Sequence, residues 1–113
     1  MKNNRYCLAL DLKNDAELIA EYEEWHRKGW PGIKESILAS GVTVMDIYRL
    51  EDRLFMIMET VPDFSFEKKA AMDTANPAVQ KWEQLMWKYQ APIAGGQPGE
   101  KWRVMKQIFS LNQ

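Results

Sequence analysis

The order of hydrophobic periodicities along the chain is what most limits its fold. Apolar and polar residues alternate over Arg5–Leu12, the period of a half-buried β-strand, whereas apolar residues recur at helical spacing from Asp15 to Lys28. Two β-rich runs then follow, Val42–Leu50 and Arg53–Thr60, with only two residues between them. So short a connection predicts a hairpin, and the chain is therefore limited to folds that contain antiparallel strands.

Helix start and stop signals predict four helices. Asn14, with Glu17 three residues later, is typical of an N-cap, and Asn76 followed by a proline is a second such start. Gly29 suits the end of the first helix. The predicted helices are Asp15–Lys28, Pro31–Ala39, Ser65–Asp73 and Pro77–Tyr89.

The end of the chain combines a loop with a last strand. Ala91–Glu100 contains three glycines and two prolines, which predicts a loop, and Trp102–Leu111 alternates as a strand. The resulting order of strand, helix, strand, strand, helix, strand is the ferredoxin-like βαββαβ arrangement of the α+β class. In it, one antiparallel sheet packs against helices on one face. With 113 residues, the whole chain 1–113 is expected to form a single domain.

The sheet face that the helices leave open also carries apolar side chains. Methionine and phenylalanine side chains of the predicted hairpin contribute to it, so a single chain would expose a sizeable apolar patch. Two copies that pair face to face would bury this patch. We therefore expect a homodimer.

Composition and charge exclude several kinds of partner. Fifteen basic residues against sixteen acidic ones give a net charge of −1, which leaves no net field to attract nucleic acid or anionic lipid. No run of about 18 apolar residues is present to span a membrane, and we expect a cytoplasmic protein. One histidine and one cysteine cannot form a common zinc site, and no glycine-rich phosphate loop is found, so no metal is expected. The charged run Glu67–Lys69, and Lys101 with Arg103, are interpreted as solvated faces.

His26, the only histidine, is the candidate for proton transfer near neutral pH. Tyr22 lies four residues before it on the same helix face, so both side chains can contact one small ligand. A histidine beside aromatic residues on an amphipathic helix is also a common packed residue, and the helix pattern leaves both readings open. Trp82 and Glu83 on the last helix are equally open to a structural and a ligand-binding reading.

Five short motifs lie in a recognisable order along the chain. They are Glu21-Tyr22 with His26, Trp30-Pro31, the strand Gly41–Tyr48, Leu54-Phe55-Met56 and Val79–Trp82. In order and spacing they resemble the L-rhamnose mutarotase family over nearly the whole chain, from Tyr6 to Phe109. Members of that family are cofactor-free aldose 1-epimerases with a dimeric ferredoxin-like α+β barrel. The resemblance implies the same fold and activity here, with no cofactor.

The resemblance also implies roles for individual residues. His26 matches the family's catalytic histidine, a proton donor, Tyr22 matches a sugar-binding tyrosine, and Trp82 matches the first of two adjacent tryptophans that contact the sugar. Met45 stands where the rhamnose enzymes of the family carry a tyrosine, and Glu83 stands where they carry the second tryptophan. The implied substrate-binding residues are therefore Tyr22, Met45, Trp82 and Glu83, and the two departures are expected to change which sugar is held.

Two substrates and two other functions stay open at this point. Related members act on L-fucose, so the implied reaction is interconversion of the α and β anomers of either L-rhamnose or L-fucose. A non-catalytic small-ligand binding or sensor protein on the same barrel is the alternative. Haem binding through His26 is a third reading, which the neighbouring acidic residues Glu21, Glu23 and Glu24 disfavour because a porphyrin is anionic.

Overall fold

Within residues 3–93 and 101–112, which the computed structural model describes, the chain forms five strands and four helices. The strands are β1 (Asn4–Leu12), β2 (Val42–Leu50), β3 (Arg53–Thr60), β4 (Gln90–Ala91) and β5 (Arg103–Val104). The helices are α1 (Ala16–Lys28), α2 (Ile33–Ala39), α3 (Phe66–Ala75) and α4 (Pro77–Trp87). None of these helices is both long enough and apolar enough to cross a membrane.

The strands form an antiparallel sheet in the order β2-β3-β1-β4, and β5 also pairs with β1. The central strands β1 and β3 pair from Asn4 opposite Thr60 to Asp11 opposite Arg53. β1 and β3 are thus spatial neighbours although two helices and β2 separate them along the chain. This strand order with its helices confirms the predicted α+β class and the ferredoxin-like arrangement.

Alternate residues of the strands face the helices and form the core. In β1 these residues are Leu8, Leu10 and Leu12, each at most 5% exposed. The residues that alternate with them, Cys7, Ala9 and Asp11, lie on the opposite face and are half-buried. Because full burial of a leucine side chain contributes roughly 1.5–3 kcal/mol, this side of β1 is what holds the helices onto the sheet.

Helix α1 begins at an aspartate cap and buries Tyr22. The Asp15 carboxylate accepts hydrogen bonds from the backbone amides of Glu17 and Leu18, at 3.0 and 3.1 Å. The prediction of Asn14 as the cap is wrong by one residue. Asp15 has the extended backbone, φ −146° and ψ 116°, from which a cap side chain reaches the first amides of a helix.

A short corner joins α1 to α2. Helix α1 ends at Lys28 and is capped by Gly29, whose φ of 81° lies in the left-handed region that favours glycine. The chain turns again at Pro31 and Gly32, and α2 begins at Ile33, two residues later than predicted. Gly32 has a φ of 86°, which no regular right-handed helix contains, so the helix cannot include it.

The prediction of a long last strand is wrong. Of the segment Trp102–Leu111, only the two residues of β5 pair with β1. The Met105 amide adds one hydrogen bond, to the Cys7 carbonyl at 2.7 Å, and no strand is found beyond it in the described part of the segment. Alternation indicates that a segment can form a strand, but a strand also needs a partner edge. Strand β4 was missed because two residues are too few to show a period. Residues 94–100 of the predicted loop lie outside the described residues.

Candidate active site

A cavity of about 530 Å³ lies between the core face of the sheet and the helices. Its volume is in the range of small-molecule sites, roughly 300–1,000 Å³. A second cavity of about 470 Å³, beside α2 and β2, shares several wall residues with it. All five residues singled out from the sequence line the larger cavity: Tyr22, His26, Met45, Trp82 and Glu83.

His26 lies in the last turn of α1, with one ring nitrogen turned toward the helix. Its Nδ1 is 2.9 Å from the backbone carbonyl oxygen of Tyr22, one turn earlier. A carbonyl oxygen only accepts, so Nδ1–H donates, and Nε2 of the neutral ring keeps a lone pair. Partial burial lowers the pKa of His26 below 6.5, and the bond to the carbonyl opposes this shift. His26 is therefore largely neutral at pH 7, and Nε2 is the atom that can exchange a proton.

The Tyr22 side chain is buried against the His26 ring, and the centroids of the two rings are 4.3 Å apart. Burial raises the pKa of Tyr22 to about 12, and a hydrogen bond with the side chain of Gln90 opposes this rise. The Tyr22 hydroxyl thus stays protonated at any physiological pH. It can donate or accept a hydrogen bond, but it is too weak an acid to serve as a base in its ionised form.

Two tryptophans continue the wall beyond His26. The Trp82 ring lies edge-on to the His26 ring, with centroids 5.3 Å apart and planes at 70°. Trp30, from the corner after α1, lies 6.2 Å from Trp82 between centroids. Aromatic faces of this kind pack against the C–H side of a ring-shaped ligand and leave its polar groups to other partners.

Met45 and Glu83 lie on different walls of the cavity, Met45 on β2 and Glu83 on α4. Lys101 joins the Glu83 side of the cavity: its Nζ donates to the Glu83 backbone carbonyl at 3.1 Å and lies 4.6 Å from the centroid of the Trp87 ring. Burial lowers the pKa of Lys101, and the charge of Glu83 opposes this shift. The cavity therefore contains a carboxylate and an ammonium group close together.

The interpretation of Lys69 and Lys101 as solvated is wrong, because both residues line the cavity. Lys69 Nζ is 2.7 Å from the Asp73 carboxylate, and the two side chains are only 20% and 17% exposed. Their spacing of four residues on α3 was the available signal, since it allows an ion pair on one helix face. No comparable local signal marked Lys101, which approaches α4 from a distant part of the chain.

Gln90 is a further cavity residue that the sequence did not indicate. It lies on β4 opposite Leu12 of β1 and is 5% exposed. Its position depends on a two-residue pairing at the sheet edge, which no periodicity in the sequence reveals. The side chain nevertheless contacts Tyr22, whose ring packs on the His26 ring.

The chemistry that these groups allow is acid–base chemistry on a small polar ligand. An imidazole with a free Nε2 can transfer protons, while the phenol, the carboxylate and the amide can hold hydroxyl groups. Within residues 3–93 and 101–112, no group of three His, Cys, Asp or Glu residues is placed to hold a metal ion.

Comparison with known proteins identifies close relatives of the chain. It is 44% identical to an L-fucose mutarotase of Xanthomonas campestris pv. campestris over 115 aligned positions, covering 100% of this chain and 92% of the relative. Among solved structures, an L-rhamnose mutarotase from Formosa agariphila superposes with a TM-score of 0.68 at 18% identity, covering 96% of this chain and 98% of the other. A dimeric ferredoxin-like protein from an uncultured marine organism superposes with a TM-score of 0.54 at 12% identity, covering 97% and 93%.

These likenesses agree with the resemblance drawn from the short motifs. The structural neighbours show the same fold at low identity, while the Xanthomonas protein is similar in sequence over the full length of the chain. The family model for L-rhamnose mutarotase matches residues 5–111, which leaves only a few residues at either end. The chain therefore belongs to the L-rhamnose mutarotase family.

Proposed function

We propose that this protein is a mutarotase that interconverts the α and β anomers of a 6-deoxy-L-hexose, either L-fucose or L-rhamnose. Its family and its 44% identity to an L-fucose mutarotase support the activity. The observation that carries the proposal is a single cavity lined by Tyr22, His26 and Trp82, in which Nε2 of His26 is free to exchange a proton.

Mutarotation requires two proton transfers. A general base takes the proton of the anomeric hydroxyl, the bond between C1 and the ring oxygen breaks, and a general acid delivers a proton to the ring oxygen. The aldehyde end of the open chain rotates about the C1–C2 bond. The ring oxygen then adds to either face of the carbonyl as both proton transfers reverse. General acid–base groups are sufficient for every step.

In this proposal His26 donates the proton to the ring oxygen through Nε2. The hydrogen bond from Nδ1 to the Tyr22 carbonyl fixes the orientation of the ring and leaves Nε2 for the sugar. Since partial burial favours the neutral ring, the imidazolium is a stronger acid than a histidine in water. Tyr22 orients a hydroxyl group, and Trp82 packs against the C–H side of the sugar.

Met45 and Glu83 are proposed to influence which sugar binds. L-Fucose and L-rhamnose differ in the configuration of their hydroxyl groups at C2 and C4. Met45 has no polar group able to hold a hydroxyl, whereas each oxygen of the Glu83 carboxylate can accept hydrogen bonds from hydroxyls on neighbouring carbons. The likeness to an L-fucose mutarotase makes L-fucose the first sugar to test.

A homodimer is part of the proposal. The outer face of the sheet exposes Tyr48 at 57% and Leu50 at 77%, and the end of the chain exposes Ile108 at 89% and Phe109 at 73%. Large apolar side chains in contact with water favour association, and Tyr48 and Leu50 place such an apolar surface on this side of the sheet. The marine structural neighbour is described as dimeric, which supports the same assembly here.

Saturation-transfer NMR on the anomeric protons tests the activity directly. Catalysed exchange transfers saturation from the α-anomer signal to the β-anomer signal within the lifetime of the magnetisation. We expect the wild-type protein to accelerate exchange of L-fucose, L-rhamnose or both, and His26→Ala to abolish the acceleration. Arg27→Ala, one residue along α1 and outside the cavity, should retain it.

Failure to accelerate exchange of either sugar would refute the proposed activity. If the protein binds one of the sugars without exchanging its anomers, and His26→Ala binds equally well, the protein is a sugar-binding or sensor protein instead. The same NMR samples distinguish the two results, because binding broadens the sugar signals even where no saturation is transferred.

A further inference from the structure

Gln90 combines deep burial with an unpaired polar atom. The residue is 5% exposed, and its Oε1 has no hydrogen-bond partner among the residues that the structure describes. A buried carbonyl oxygen without a partner destabilises a protein, because it has lost its hydrogen bonds to water and gained none in return. An apolar side chain of similar shape would avoid this cost. The side chain also lines the large cavity, which places the amide beside the space that a ligand would occupy.

The backbone around Gln90 holds the side chain toward the cavity. Gln90 lies directly opposite Leu12 in the pairing of β4 with β1, and paired residues share a face of the sheet. Leu12 is a core residue, 2% exposed, so Gln90 projects from the same core-facing side. The Lys13 amide donates to the Tyr89 carbonyl at 2.8 Å, which fixes the chain immediately before Gln90.

The amide of Gln90 is already hydrogen-bonded to Tyr22, the proposed sugar-binding tyrosine. Its side chain forms a hydrogen bond with the Tyr22 side chain, whose ring packs on His26. A glutamine amide has an NH₂ donor and a carbonyl acceptor. With the NH₂ directed to the Tyr22 oxygen, Oε1 remains as an acceptor and the Tyr22 hydroxyl hydrogen remains as a donor. Two adjacent groups of opposite hydrogen-bonding character therefore belong to the wall of the same cavity.

We propose that Oε1 of Gln90 accepts a hydrogen bond from one ring hydroxyl of the bound sugar, at C2, C3 or C4, and so determines sugar specificity. This inference rests on the proposed mutarotase function of the cavity and adds a specificity-determining residue to it. A site that pairs a buried acceptor with a substrate hydroxyl discriminates against sugars that lack this hydroxyl or present it in another direction, because the acceptor is then left unpaired.

The test combines one protein variant with single-hydroxyl deletions in the sugar. Gln90→Met keeps the length of the side chain and removes the acceptor, and Gln84→Met on the exposed side of α4 is the matched control. KM and kcat for anomer exchange are measured with the parent sugar, which is L-fucose or L-rhamnose, whichever the protein exchanges. They are also measured with the 2-deoxy, 3-deoxy and 4-deoxy forms of that sugar. Dissociation constants of the same sugars are measured by NMR titration, and thermal unfolding checks that each variant is folded.

For the parent sugar we expect Gln90→Met to raise KM by about tenfold with little change in kcat, as for loss of one hydrogen bond in the ground and transition states. One deoxy sugar should bind wild type and Gln90→Met with equal affinity, which identifies the hydroxyl that Gln90 holds. Gln84→Met should behave as wild type throughout. Equal losses for the parent and all three deoxy sugars would overturn the inference, since Gln90 would then act only by supporting Tyr22.

The two proposals can fail separately. If wild type exchanges a sugar and Gln90→Met binds every sugar as wild type does, the mutarotase function stands and the inference about Gln90 is overturned. If wild type binds the sugars without exchange, the mutarotase function fails, and the affinities of the deoxy sugars still decide the role of Gln90. Absence of binding to all of these sugars would overturn both.

Discussion

At the scale of single residues, the proposed chemistry depends on how His26 is held. The Tyr22 carbonyl accepts a hydrogen bond from Nδ1–H, so one backbone contact decides which ring nitrogen is left for the proposed proton transfer. The i and i+4 spacing of Tyr22 and His26 was visible in the sequence and is enough to place both side chains on one helix face. The spacing alone could not show the carbonyl bond or the burial that lowers the pKa of His26.

The lowered pKa of His26 gives a pH prediction with a definite sign. If Nε2 donates the proton to the ring oxygen, the imidazolium is the active form of the free enzyme. We then expect kcat/KM to fall as pH rises above the pKa of His26, by about tenfold per pH unit, with the midpoint below 6.5. The midpoint is checked independently by NMR titration, where the single histidine gives an unambiguous imidazole signal.

The opposite slope would assign a different role to the same residue. A kcat/KM that rises with pH through the pKa of His26 would show that the neutral ring is active, and that His26 removes the anomeric proton instead of donating one. A profile that does not follow the NMR titration at all would separate His26 from the proton transfers. The titration should keep its midpoint in Tyr22→Phe, because the carbonyl that binds Nδ1 belongs to the backbone.

At the scale of secondary structure, the sequence predicted elements that carry their own signal and missed those defined by pairing. The period of β1, the short connection between β2 and β3 and the proline start of α4 are all local features, and all four elements are present. β4 and the truncated β5 exist because β1 offers an edge to each of them. For the same reason Gln90, which β4 places in the cavity, could not be identified as a site residue from the sequence.

The cap of α1 provides a prediction at this scale, since α1 carries both Tyr22 and His26. We expect Asp15→Ala to lower the free energy of unfolding by about 1 kcal/mol, because the amides of Glu17 and Leu18 lose their acceptor. Asn14→Ala, the neighbouring residue that the sequence favoured as the cap, should change it by less than about 0.5 kcal/mol. Urea unfolding of the two variants beside wild type measures the difference, and an equal loss in both would contradict the assignment of the cap.

At the scale of the whole molecule, the two faces of the sheet differ in what they contact. One face meets the helices and encloses the cavity, so its residues are occupied by packing and by the site. On the other face, an ion pair lies near each end of the β1–β3 pairing, Arg5 with Glu59 and Arg53 with Asp11. Apolar residues such as Phe55 lie between the two pairs. An apolar centre bordered by charged pairs is the usual composition of a protein interface.

We therefore expect the wild-type protein to have twice the 13.2 kDa mass of one chain in light scattering at micromolar concentration. Tyr48→Lys should shift this mass toward that of a monomer. Tyr48 lies opposite Phe55 on the outer face of the sheet. Because a twofold interface contains the same residue from both subunits, Tyr48→Lys would place two positive charges in it. Met72→Lys, an equally drastic change at an exposed apolar residue of α3, should leave the mass unchanged.

Both variants alter side chains that are exposed in the single chain, so each should fold with a melting temperature close to that of wild type. A wild-type mass of one chain, or a dimer that survives Tyr48→Lys, would contradict association through the outer face.

The exchange activity of the monomeric variant shows whether one chain contains the complete site. The cavity residues Tyr22, His26 and Gln90 all belong to one chain, so a monomer that keeps its fold should retain anomer exchange. Loss of exchange in a folded monomer would contradict this and show that the second subunit completes the cavity.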